Sequence, residues 1–135
     1  MTENRTLEKS FAHFDGAVAR NPRWSWSARS PNGETVVITL WEDEISDDGH
    51  TITADLYNHK DLDLWKDLPG NRARIEDLKW ARENCDGEFR VVKLVAKDIA
   101  AFPRSIARRY PDPKLVMKLI RLNEETGEFR AEGKR

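Results

Sequence analysis

The chain has little cysteine, no long apolar run and no surplus of charge of either sign, and each shortage removes a class of function. A single cysteine, Cys85, among 135 residues forms no internal disulfide, and one thiol makes no zinc site without His or carboxylate partners. A reducing cytoplasm is therefore the expected setting. No apolar run approaches the ~18 residues of a membrane-spanning helix, so no membrane association is expected. The polar start Met1-Thr2-Glu3-Asn4-Arg5 leads into no apolar segment of the kind that marks a signal peptide. Gly-rich phosphate loops, Gly-x-Ser-x-Gly and HExxH are missing too. The pattern thus leans away from an enzyme, places no residue in a catalytic role and requires no cofactor. Lys and Arg number 23 against 24 Asp and Glu, which excludes a uniformly basic nucleic-acid binder. Length fits one domain over 1–135, with residues 1–5 and 132–135 expected to fray.

What is present is five Trp and an uneven distribution of charge. Residues 1–41 carry five positive and four negative side chains, residues 42–68 two and nine, and residues 69–135 sixteen and eleven. Arg104, Arg108, Arg109, Lys114, Lys118 and Arg121 are opposed in their stretch by Asp112 alone. A local basic face binds phosphate on a neutral protein because its potential acts over about a Debye length, ~8 Å at physiological salt. The alternative is that the acidic and basic segments pair with each other.

Leu7, Phe11, Phe14 and Val18 recur at helical spacing over 6–20, until Asn21-Pro22 stops the helix. Residues 23–29 alternate with period two, and after Ser30-Pro31-Asn32-Gly33 the β-branched run 34–41 predicts the return strand of a hairpin. An acidic loop over 42–50 precedes a strand around Ile52, Ala54 and Leu56. Residues 58–70 read as a loop anchored by Leu62, Leu64, Trp65 and Leu68. Asn71 then N-caps a helix whose stripe is Ile75, Leu78, Arg82 and Cys85, with Arg82 the polar intruder and Gly87 the stop. Phe89–Ala96 reads as a central strand covered on both faces, Pro103–Arg109 as a short helix, and 111–113 as an extended connection. A strand over 115–122, a turn over 123–127 and a return over 128–131 complete the chain. The fold expected is α+β, a small, mixed, strongly bent sheet or partly open β-barrel with two main helices.

Two constellations carry the functional reading. Trp24 and Trp26, two apart on a predicted strand, would project from one face with Cα atoms ~6.6 Å apart, and Trp41 ends the partner strand. Such indoles either fill a core or form a platform on which a base stacks, worth ~1–3 kcal/mol per base. Arg104, Arg108, Arg109 and Lys114 surround Tyr110 and two prolines, the mixture that suits a phosphate track beside a stacking surface. Weaker signals are the carboxylates of 42–48, whose spacing fails the EF-hand pattern, and Pro111-Asp112 followed by Glu132-Gly133-Lys134, a nuclease-like string. The three histidines are dispersed, with Asn58-His59 the one hint of an HNH-type pair, and Cys85 reads as a packed thiol.

The order of these parts resembles the PUA-like superfamily, with its SRA, EVE and ASCH domains. The resemblance implies a small mixed barrel that binds nucleic acid and in some members reads a modified base. Trp24-Ser25-Trp26-Ser27-Ala28 followed by residues 36–43 is also similar to stretches in bacterial proteins, some of them associated with HNH nucleases, an association that implies nucleic acid by analogy. The expectation is a domain that binds DNA or RNA, reading a modified or flipped base through Trp24, Trp26 and Trp41, with the basic residues on phosphate. The alternatives are a protein-interaction or self-associating module using the acidic 42–48 loop and a metal-dependent phosphodiesterase.

Overall fold

A computed structural model describes residues 6–21 and 24–134. Its centre is a seven-stranded mixed sheet of β1 (Ser27–Arg29), β2 (Val36–Trp41), β3 (Ile45–Asp47), β4 (Ile52–Asp55), β5 (Glu88–Ala96), β6 (Ile106–Leu122) and β7 (Phe129–Lys134). The spatial order is β1-β2-β5-β6-β7-β4-β3, and β1 and β3 are the two edges, so the sheet does not close. Only β2 and β5 run parallel. The connection between them contains α2 (Leu62–Trp65) and α3 (Pro69–Asn84), as a parallel crossover requires. The fold is α+β, as the sequence predicts.

Both faces of the central strands are covered because apolar residues there fill consecutive positions. In β2, Val36, Ile38 and Leu40 join Val91 of β5 and Leu78 and Ala81 of α3 in the larger core. The alternate residues Val37 and Val92 turn to the opposite face, where Phe11 of α1 (Leu7–Ala12), Phe14, Ala17 and Leu94 close over them. Successive strand side chains point to opposite faces, so an unbroken aliphatic run needs two layers of cover. Each such side chain, once fully buried, contributes ~1.5–3 kcal/mol.

Several elements differ from expectation, each for a local reason. The first helix stops at Ala12 because Asp15 and Gly16 take φ of +57° and +71°, a left-handed pair that no helix accommodates. α3 starts at Pro69, capped by Leu68, so Asn71 lies within its first turn. Its fully buried amide donates to the carbonyls of Lys66 and Thr126 at 2.7 and 2.8 Å. The expected loop 58–70 contains α2. No helix forms over 103–109; that segment runs into the 17-residue β6, which carries Pro111-Asp112-Pro113 through its middle. Proline is tolerated there because the ladder between β5 and β6 shifts register between Arg90 and Val92, level with the prolines. Residues 132–134, expected to fray, continue β7, which pairs with β6 on one side and β4 on the other.

Candidate functional site

A cavity of about 310 Å³ opens beside the C-terminal ends of the parallel strands β2 and β5. Trp24, Trp26, Trp41 and Trp65 all line it, together with Phe102 and the polar side chains of Glu44, His59, Arg74 and Arg104. Its volume lies at the lower end of the range for small-molecule pockets, room for one small ring system. Four of the five tryptophans of the chain therefore meet at one place.

The three expected tryptophans reach the cavity by a route other than the one predicted. Trp24 and Trp26 precede β1 and lie on irregular backbone. The β1–β2 register pairs Ser27 with Ile38, and the backbone N–H and hydroxyl of Thr39 both donate to the Trp26 carbonyl at 2.9 Å. Trp26 is thereby fixed opposite Thr39, and two residues further on each chain Trp24 and Trp41 reach the cavity. The edge strand that carries this segment is tied down from behind. Buried Asp77 of α3 accepts from Arg29, Arg20 and the Ser27 hydroxyl, and the Trp80 indole donates to the Gly33 carbonyl at 2.8 Å. Gly70 lets the Trp26 ring lie on the first turn of α3: a Cβ there would sit 2.4 Å from the indole nitrogen.

Of the cavity's Glu44, His59, Arg74 and Arg104, the sequence reading places Arg104 on phosphate, Glu44 among the loop carboxylates and His59 in an HNH-type pair, and gives Arg74 no role. His59 Nδ1 accepts hydrogen bonds from the Asp61 backbone N–H at 3.0 Å and from the Trp65 indole at 3.3 Å. With two donors aimed at it, Nδ1 carries no proton, so Nε2 carries it and donates to Glu44 at 2.6 Å. The imidazole is in this way a neutral strut that orients a carboxylate into an aromatic cavity. Opposite in charge is Arg74, 6% exposed, its guanidinium 5.0 Å from the Trp26 ring centroid and 5.4 Å from that of Trp65. Arg74 Nη2 donates to Asn71 Oδ1 at 3.0 Å, whereas Nε is buried with no hydrogen-bond partner. Burial lowers its pKa to about 10, with Glu44 pulling the other way, so the guanidinium is charged at neutral pH.

One signal for Arg74 is present in the sequence. Asn71, Arg74, Leu78 and Ala81 are spaced three, four and three apart, and all are buried. The stripe is obscured because its first two members are polar. Arg82, the expected intruder on the buried side, is instead exposed and pairs with Glu124 at 3.2 Å.

The expected basic track is not one surface. Arg104 lines the cavity, but both its terminal nitrogens bind Asp43, at 2.8 and 2.9 Å, and one also reaches the Ile99 carbonyl. Its guanidinium lies 5.1 Å from the Trp41 ring, and the bond to Asp43 raises its pKa. Arg104 is a strap across the rim. Arg108 lies over the Tyr110 ring at 5.3 Å, and Tyr110 donates to Glu42; burial, then that bond, pushes the phenol up to about 12. Arg109 stands opposite Leu94 while Arg108 stands opposite Val95, so the two point to opposite faces. Lys114 is exposed. None of Arg108, Arg109 and Lys114 lines the cavity.

The acidic loop is occupied by internal partners: Glu42, Asp43 and Glu44 by Tyr110, Arg104 and His59. Asp47 and Asp48 accept backbone N–H bonds within their own turn, and those to Asp48 lower its pKa. Among the described residues no group of three or more His, Cys, Asp or Glu is placed to hold a metal ion. The nuclease-like string is not assembled either. Glu132 pairs with Lys118, six positions along β6 from Asp112, roughly 20 Å at strand rise. Asp112 is bound instead to Lys93 at 3.2 Å. Cys85 Sγ lies 3.6 Å from the Gly33 carbonyl, and burial raises its pKa, as suits a packed thiol. Among the described residues no helix is long and apolar enough to cross a membrane. Comparison with protein-family models, with curated proteins and with solved structures gives no significant match, so the functional reading rests on the cavity.

Proposed function

We propose that this domain binds DNA or RNA and takes a single unstacked base into the tryptophan cavity. The observation that carries the reading is the convergence of four indoles on one small cavity that also holds a carboxylate and a partly unsatisfied guanidinium. Every base offers a flat π face to such walls, and a lone nucleotide must leave its stack to reach them. Polar groups placed between aromatic walls then read the edge of the base. Phosphate contacts in this proposal fall to Arg108 and Lys114, because Arg104 is committed to Asp43. The open, bent sheet is read as a variant of the PUA-like layout, and the setting as the cytoplasm, where Cys85 remains a thiol.

The test is a titration of intrinsic Trp fluorescence with single-stranded, duplex and base-modified oligonucleotides at ~50 mM salt. Even non-specific binders reach Kd of ~10⁻⁴–10⁻⁶ M at physiological salt. A response that saturates and weakens with added salt is expected, and no response up to ~100 μM would sink the proposal. Internal pairing of the 42–48 carboxylates disfavours the self-docking alternative, since each of the three at the rim already has a partner.

A further inference from the structure

The charges inside the cavity constrain its ligand more tightly than its aromatic walls do. Aromatic cages with a nearby carboxylate commonly take a cation. Here Arg74 already lies against the Trp26 and Trp65 rings. A second positive charge would enter a partly enclosed cavity beside a buried guanidinium, where repulsion is stronger than in bulk water. A ligand without polar edges fares no better, because it would strip water from Glu44 and leave the Arg74 guanidinium no better satisfied. The occupant must therefore be neutral, offer an acceptor to Arg74 and offer N–H donors to Glu44.

These demands separate the bases. Among the neutral acceptors of a base a guanidinium donates well to a carbonyl oxygen, and a carboxylate accepts well from two adjacent N–H groups. Adenine has no carbonyl. Cytosine has one carbonyl and an amino group but no ring N–H, and uracil has a single N–H between two carbonyls. Guanine alone joins a carbonyl, a ring N–H and an exocyclic amino group along one edge. Glu44 can accept both of its donors, since His59 Nε2–H occupies one of about four lone-pair positions on the carboxylate.

We propose that the cavity is selective for guanine, with Glu44 accepting from its ring N–H and amino group and Arg74 donating to its carbonyl oxygen. This rests on the cavity being the base site. His59 and Asn71 are positioning residues: the first holds Glu44, and the second holds Arg74.

The experiment titrates the wild-type protein with guanosine, inosine, adenosine, cytidine and uridine, read by Trp fluorescence, and repeats the guanosine and adenosine series with Glu44→Gln. Guanosine is expected to bind at least ~10-fold more tightly than adenosine, cytidine or uridine, the discrimination typical of a bidentate base contact. Inosine, which lacks the amino group, should fall between. Glu44→Gln should weaken guanosine by ~10-fold or more and leave adenosine unchanged. Equal affinity for guanosine and adenosine overturns the inference, as does guanosine binding indifferent to Glu44→Gln. The wild-type series decides without any variant, so a misfolded substitution does not obscure the result. Two oligonucleotides, one guanine-rich and one adenine-rich, separate the two levels of the argument. Tight binding of both with no preference refutes guanine selectivity and keeps the nucleic-acid reading. Selective guanosine binding with no oligonucleotide binding does the reverse, and no binding of any kind refutes both.

Discussion

Replacing Arg74 with methionine should abolish ligand binding without destabilising the fold, an outcome that separates a binding charge from a structural one. Burial lowers the Arg74 pKa from its ordinary value to about 10, and at ~1.4 kcal/mol per unit the buried charge costs about 3 kcal/mol at neutral pH. Methionine removes that cost and fills similar space with a flexible apolar chain. Against the gain stand the lost bond to Asn71 Oδ1, whose unmet acceptor costs ~1–2 kcal/mol, and the lost contacts to aromatic rings, about 1 kcal/mol in sum. The expected net change is therefore between zero and about 1 kcal/mol in favour of the variant, read as the urea midpoint at unchanged slope. The pH dependence gives an independent check on the sign. From pH about 10 up to the ordinary arginine range the unfolded state holds a proton on Arg74 that the folded state has lost, so wild-type stability gains with rising pH in that window. Tyr110, raised to about 12, acts in the opposite direction over pH 10–12, but it is common to both proteins and cancels in the difference. The advantage of the variant should thus shrink between pH 7 and pH 10.5. A loss of more than about 2 kcal/mol at pH 7 would refute the reasoning and make Arg74 part of what holds the core.

Three further outcomes follow from the same geometry. Trp24→Ala, at a rim position 39% exposed, should leave stability within about 0.5 kcal/mol while weakening nucleoside binding by ~5-fold or more through lost stacking; equilibrium unfolding and fluorescence titration check the two halves. Gly70→Ala places a methyl 2.4 Å from the Trp26 indole nitrogen, so the ring must move, and both a shifted Trp emission maximum and weaker ligand binding are expected. On phosphate contacts, Lys114→Gln should lower the salt dependence of oligonucleotide binding by about one unit of log–log slope, whereas Arg104→Gln should leave that slope unchanged. Equal effects of the two would return Arg104 to the phosphate track.

Much of the scaffold was legible because it rests on local rules. The aliphatic run of β5 identified a strand buried on both faces, and the hairpin between β1 and β2 followed from alternation before Ser30-Pro31-Asn32-Gly33 and a β-branched run after it. The site was only partly legible. Trp24, Trp26 and Trp41 stood out as large side chains in a β context, but their convergence depends on the Ser27–Ile38 register, which composition does not encode. Glu44 was read only as one carboxylate of the acidic loop and His59 only as half of an HNH-type hint, because nothing local links them; fifteen residues separate them, and one hydrogen bond joins them. Segment 103–109 misled because proline suits both a helix start and an irregular strand, and only the partner strand β5 decides between them.

The sequence by itself determined the α+β class, the two-sided burial of β5, the long second-half helix and the separation of an acidic middle from a basic end. These follow from periodicity and composition, which act over a few residues. Tertiary structure decided everything that joins distant segments. It paired Arg104 with Asp43 and Tyr110 with Glu42, taking Arg104 out of the apparent basic track, because polar groups sixty or more residues apart meet only when the strands are placed. It also gathered Trp65, Glu44, His59 and Arg74 around the expected tryptophans, since a cavity is formed by the packing of elements and belongs to none of them alone.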